Sequence, residues 1–273
     1  MGILRRVHLK TDSEIELIKK SSLLVGKTLG EVANLMKPGV PLYYIDRVAE
    51  EFIRDNHGIP SCKGYCPGRG YVPYPATLCL SVNDVIVHGI PNGYVLQEGD
   101  IVTADCVASV GGWHGDFAYT FAIGEVSEEK RLLMERTKAS LYEALKFAVA
   151  GKRIGDISHA VERSVKPYNY GIIRELCGHG IGRSMHEAPD VPNYGPAGQG
   201  EAIRPGMVFC VEPMIAAGTH KIREDNDGWT IRTADGKPAA HYEHQVAINS
   251  KGQTEVISTY KYIEEALGMN TND

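Results

Sequence analysis

The sequence predicts an α/β fold of the α+β kind, a single domain over residues 1–273 that is built twice. Two halves, about 12–124 and 125–250, are expected to be related by a pseudo-twofold axis, each with antiparallel sheet and helices packed outside it. Three observations predict this. Helical and strand-like periodicities occupy separate blocks. A turn, a helix and a Gly-Ile exit recur, once in KPGVPLYYIDRVAEEFIRDNHGI and again in GKRIGDISHAVERSVKPYNYGI. Carboxylates also recur at matched places in apolar strands, Asp105 six residues after Gly99 and Glu212 six residues after Gly206.

Residues 12–36 carry apolar side chains at helical spacing behind a Thr/Asp/Ser cap cluster, and KPGVPL ends that helix. Residues 43–57 read as a second helix stopping at Gly58. After a loop rich in Gly, Pro and Tyr come short strands, LCLSVNDVIVHGI, and then a hairpin, GDIVTADCVASV and FAYTFAIG, turning at Gly111-Gly112. Residues 127–150 read as a helix, GKRIGDISHAVERSVKPYNYGI as a break and a further helix, and the final third as strands. The tail TYKYIEEALGMNTND starts helical and is expected to fray.

At 273 residues with 43% hydrophobic and 23% charged residues, the chain has an ordinary globular composition. A net charge of −5 gives no electrostatic reason for a nucleic-acid substrate. No run approaches the roughly 18 apolar residues of a membrane span, and the charged start is unlike a signal peptide. The six cysteines are scattered, which fits reduced thiols and a cytoplasmic location. Cys62 and Cys66 form a C-x3-C without a second Cys/His pair at finger spacing, so structural zinc there is not favoured.

The chemistry lies in the acids. Asp105 and Asp116 fall in the two arms of the hairpin, Glu212 in MVFCVEPMI and Glu243 in YEHQVAI. An ionised carboxylate inside a strand costs several kcal/mol unless paired or metal-bound. A lone acid there is commonly held by backbone amides or by Lys/Arg, and Glu243 could be an exposed charge. Four acids in matched strands, with HGI repeated at His88 and His179, shift the reading to one or two divalent cations. His179 among glycines would complete a mixed N/O set suited to Mn, Fe, Co or Zn and poorly suited to Ca. His88 and His186 are candidates for proton or substrate handling, and also read as satisfied structural histidines. His114, His241 and His244 flank the acids and are expected to support the ligands.

VHGIP, DIVTADCVASVGGWHGD, CGHGIGRSMHE, VFCVEPMI and YEHQVAI together resemble the type I methionine aminopeptidases, from about Ile15 to about Asn249. The resemblance implies the duplicated pita-bread fold. It implies two divalent metal ions held by Asp105, Asp116, His179, Glu212 and Glu243, with Asp116 and Glu243 bridging. It makes His88 and His186 substrate contacts, and Glu212 the proton acceptor for the attacking water. It places a methionine pocket on Tyr71, Tyr74, Cys79, Met185 and Trp229. The implied activity is removal of the initiator methionine from nascent polypeptides with a small second residue, by a monomer in transient contact with the ribosome. A proline-specific aminopeptidase of the same fold is the nearest alternative; those usually carry an extra N-terminal domain, for which no room is expected ahead of Ile15. A non-catalytic binding relative is the other, and such proteins lose ligands. The loop from Ser61 to Arg69 departs from the common bacterial form.

Overall fold

The structure is a computed structural model that describes residues 6–68 and 70–269. Helix α1, Asp12–Ala33, starts in a capping box: the Thr11 hydroxyl accepts from the Glu14 N–H, and the Glu14 carboxylate accepts from the Thr11 N–H. Its inward face, with Ile15, Ile18, Val25, Leu29 and Val32, is fully buried against the hairpin strands Ile101–Val110 and Trp113–Ala122. Gly115 permits this contact. A Cβ there would lie 2.3 Å from the Ser22 nitrogen, so helix and strand backbones touch where no side chain fits. The Ser21 hydroxyl donates to Trp113 O (2.7 Å) and accepts from the Val110 N–H (3.0 Å), tying the helix to the turn of the hairpin.

Helices α2 (Leu42–Asp55), α3 (Glu128–Leu145) and α4 (Ile154–Val165) fall close to the expected segments. Helix α5, Lys261–Ala266, is the helical start of the tail, and it is docked on the protein. Tyr260 and Ile263 are buried, and Gly30 of α1 lies against Tyr262. Packing against α1 stabilises a helix too short to persist alone. Residues 270–273 of the tail lie outside the described residues.

Every strand pair is antiparallel. The hairpin turns through Gly111 and Gly112, both with positive φ (60° and 75°), between the paired residues Val110 and Trp113. A two-residue turn of this hand matches the twist of the strands it joins. The strands Ile59–Pro60 and Leu78–Val82 line the other edge of Ile101–Val110. A second sheet runs in the order Thr254–Val256, His244–Ile248, Val208–Val211, Gly178–Gly180, Glu187–Val191. Two smaller three-stranded sheets complete the fold.

The hairpin meets the later sheets along one line. The Glu243 N–H donates to Ala118 O (3.1 Å), and the His241 N–H donates to the Thr120 hydroxyl (3.1 Å), which donates back to His241 O (2.7 Å). The buried Tyr260 hydroxyl lies between Ala118 O (2.9 Å) and Glu243 O (2.8 Å).

Candidate metal centre

Strand register sets the acids. Asp105 pairs with Ala118 and Val107 with Asp116, so Asp105 and Asp116 are diagonal neighbours on one face, as the even turn allows. The later acids sit where two paired strands pass from one sheet to another. Val211 pairs with His244 before the break, and Met214 with His241 after it. The same register on both sides sets Glu212 opposite Glu243. The Glu212 carbonyl, displaced from the ladder, accepts from the Asn193 amide (2.9 Å).

His179 lies in the short strand Gly178–Gly180, paired on both edges. Its Nδ1 is 3.0 Å from Gly180 O. A carbonyl only accepts, so Nδ1 carries the proton and Nε2 presents a lone pair. That lone pair faces Asp116 Oδ2 at 3.6 Å and Glu212 Oε1 at 3.7 Å. These distances are those of ion pairs, yet burial lowers the His179 pKa to about 4 and keeps the ring neutral near pH 7. With a neutral ring these contacts are not ion pairs.

The acids are under the same stress. Burial raises the Asp105 pKa to about 7. Glu212, Asp116 and Glu243 are pushed well above the usual carboxylate range, by burial first and then by neighbouring carboxylates. Among the described residues, Asp105 Oδ1, Asp116 Oδ1, Glu243 Oε1 and both ring nitrogens of His241 are buried without a hydrogen-bond partner. Unpaired buried acceptors of this number are costly unless something positive joins them.

Two ligand clusters emerge, each with its donor atoms within 4.8 Å of one another. One holds Asp116, His179, Cys210 and Glu243; the other holds Glu212, His241 and Glu243. Glu243 belongs to both. The oxygen and imidazole donors fit a first-row divalent ion, so the chemistry of this set passes the test for a metal centre. Asp105 faces the same cavity and lies outside both clusters.

The cavity, about 460 Å³, extends from the acids to an apolar end. Tyr74, Cys79 and Met185 are buried there in one cluster with Cys62, Ala76 and Val107, and Trp229 packs against it. The Trp229 Nε1–H donates to Val72 O (2.8 Å), and its ring meets Tyr74 edge-on at 5.2 Å. Tyr71 is different: at 58% exposure it stands at the rim. Tyr65 occupies the inner position, packed on the cluster, with its hydroxyl 2.8 Å from His186 Nδ1. His88 also lines the cavity, in a left-handed backbone conformation (φ 57°) uncommon for a residue with a Cβ. Burial, and then the nearby His186, lower its pKa to about 4. The ring of His186 meets that of His179 edge-on at 4.4 Å.

Sequence reasoning missed Cys62 and Tyr65 as pocket residues. No spacing separates Tyr65 from Tyr71 in a loop of irregular backbone. Of the three flanking histidines only His241 faces the acids. His114 Nδ1 lies 3.0 Å from Gly182 O, and His244 is held by Ser258 (2.7 Å) and stacked on Tyr260.

Residues 16–250 match the family described as Metallopeptidase family M24. The chain belongs to metallopeptidase family M24. Within M24 it is similar to a protein of Clostridium acetobutylicum named methionine aminopeptidase, 45% identical over 247 residues, covering 90% of this chain and 96% of that one. It is also similar to the crystal structure of methionine aminopeptidase from Thermotoga maritima, with a TM-score of 0.88 and 36% identity over 93% of this chain and all of that one. An Xaa-Pro dipeptidase from Bacillus anthracis shares the fold at 22% identity and a TM-score of 0.73, and this chain covers 62% of it. The fold is the pita-bread fold of the M24 metallopeptidases. No described helix is long and apolar enough to cross a membrane.

Proposed function

We propose that this M24 metallopeptidase is a methionine aminopeptidase that removes the N-terminal methionine of nascent polypeptides with a small second residue. The observation that carries the reading is the joining of two unlike surfaces in one cavity. A cluster of buried, unpaired carboxylate and imidazole donors opens onto an apolar pocket walled by Tyr74, Cys79, Met185, Trp229, Cys62 and Tyr65. A thioether side chain suits that soft wall. The acids beside it attract the free α-amino group that marks an exopeptidase substrate.

In this reading Asp105, Asp116, His179, Glu212 and Glu243 would hold two divalent ions drawn from Mn, Fe, Co or Zn, Asp116 and Glu243 serving as ligands to both. When bound, such ions supply Lewis-acid activation of water and of the scissile carbonyl. Glu212 takes the proton of the attacking water at its carboxylate, whose affinity for a proton burial has raised. His186 donates to the carbonyl oxygen of the first residue. The Tyr65 hydroxyl, donating to Nδ1, leaves the proton of His186 on Nε2 for that task. His88 contacts the substrate near the scissile bond, and its strained backbone holds the ring at the cavity wall. The two half-repeats, 12–124 and 125–250, the monomeric state, the ribosome contact and the cytoplasmic location belong to the same proposal.

The test is a peptide assay on protein stripped with chelator and resupplied with Mn, Fe, Co or Zn. Metal-dependent release of methionine from Met-Ala-Ser, with Ala-Pro-Ser left intact, is expected. Cleavage of Ala-Pro-Ser would assign the chain to the proline-specific branch. Silence on both peptides with metal bound would leave a binding protein on this fold.

A further inference from the structure

His241 belongs to the second ligand cluster but not to the five residues that hold the ions, and its surroundings do not explain it as packing. It is 1% exposed, and neither ring nitrogen has a hydrogen-bond partner. Its backbone is fixed on both sides by the Thr120 hydroxyl, which aims the ring into the cavity. Nε2 lies 3.9 Å from Glu212 Oε2 and 3.7 Å from Glu243 Oε2.

Three explanations can be weighed. An ion pair would need an imidazolium, and both of its N–H donors would then be buried with no acceptor in reach. A hydrogen bond would need a separation near 3 Å. A shared cation needs neither. With metal–ligand bonds of about 2.0–2.2 Å, two donors on one ion stand about 3–4 Å apart, according to the angle between them. The separations around His179 are of the same size, 3.6 and 3.7 Å. His241 thus stands to Glu212 and Glu243 as His179 stands to Asp116 and Glu212. A satisfied structural histidine would have bonded its nitrogens, since a buried polar atom left unpaired is costly.

We propose that His241 Nε2 is a further metal ligand beside Glu212 and Glu243, so that the centre carries two imidazoles, His179 and His241. This rests on the reading of the cavity as a metal centre and adds a donor to it. An imidazole in place of water or an oxygen donor moves that position toward the nitrogen-preferring metals, Co and Zn, and away from Mg or Ca.

The test uses the full-length protein loaded with cobalt(II), read by paramagnetic proton NMR. Each coordinated histidine gives one exchangeable N–H resonance shifted far downfield by the ion. Two such resonances are expected. His241→Gln should remove one and lower the affinity for one cobalt equivalent at least tenfold, and His179→Gln should remove the other. The wild-type spectrum decides even if a variant fails to fold. One resonance in the wild type, kept in His241→Gln and lost in His179→Gln, overturns the proposal and leaves the metal centre intact. A protein that binds no cobalt overturns both together.

Discussion

Metal uptake by this protein should expel protons, and the structure sets the scale. Near pH 7 the buried histidines of the site contribute nothing, because their pKa values lie at about 4 (His88, His179) and about 3 (His241). The acids differ. Burial lifts Asp105 to about 7, and Glu212, Asp116 and Glu243 are held well above the usual carboxylate range. The metal-free cluster therefore keeps at least one proton at neutrality, which a cation must displace. The sign for stability follows. A carboxyl whose pKa is raised by folding binds more protons folded than unfolded, so the metal-free protein loses stability as pH rises. Each retained proton contributes about 1.4 kcal/mol per pH unit. From pH 4 to 6.5 the depressed histidines act the other way, so the clean window is above pH 7. For each pH unit over which a proton is held, that contribution is about 3–6 °C in Tm for a chain of this size. Cys62, Cys106 and Cys210, also raised by their surroundings, drift the same way, so the informative quantity is the loaded-minus-free difference. Calorimetric titration with Mn in buffers of different ionisation enthalpy should count one or more protons released at pH 7, and the Tm gap should widen by that amount. No proton released, with a gap that stays constant, would refute the stated electrostatics of the site.

Other perturbations follow from single contacts. Asp116→Ala or Glu243→Ala should abolish peptide cleavage and lose at least one metal equivalent by elemental analysis; full activity in either would refute the bridging assignment. Tyr65→Phe keeps the ring and removes the hydroxyl from His186 Nδ1, so kcat should fall about fivefold to tenfold, the worth of one hydrogen bond of about 1–1.4 kcal/mol, while KM moves little. Gly115→Ala places a Cβ 2.3 Å from the Ser22 nitrogen, so helix α1 must shift, at a cost of about 3 kcal/mol or more, read as a lower urea midpoint.

What the sequence made legible were the local devices. The Thr-Asp-Ser-Glu start of α1 carries its capping box, and Gly111-Gly112 carries the turn that puts Asp105 and Asp116 on one face. Both are written within a few residues. What depended on distant partners was not readable. Tyr65 and Tyr71 are equivalent in a string of Gly, Pro and Tyr; only the packing of the loop onto Met185 and Cys79 separates an inner ring from a rim ring. His241 could be read only as a neighbour of Glu243, because its unpaired nitrogens become visible once Thr120 and Glu212 surround it. The docking of α5 rests on Gly30, more than 200 residues away in the chain.

The opposition of Glu212 and Glu243 has the same origin and explains why the fold tolerates these two acids. A carboxylate inside a continuous ladder would displace an apolar partner on a packed face. Here the ladder is interrupted: Pro213 has no N–H to offer, and the strand pair passes from one sheet to the next between Val211 and Met214. Ladder partners lost at the break are replaced from outside the strand pair, by Asn193 on the Glu212 carbonyl and by Ala118 and Tyr260 around Glu243. The break therefore satisfies its main chain while leaving its side chains unsatisfied, and the cost is concentrated on carboxylates and imidazoles that a cation can join. Filling the site with apolar residues would relieve that cost and destroy the chemistry; binding metal relieves it and creates the chemistry. On this argument the metal-free protein is the strained state of the molecule, and the stability gained on loading measures how much strain the fold holds at the junction of its sheets.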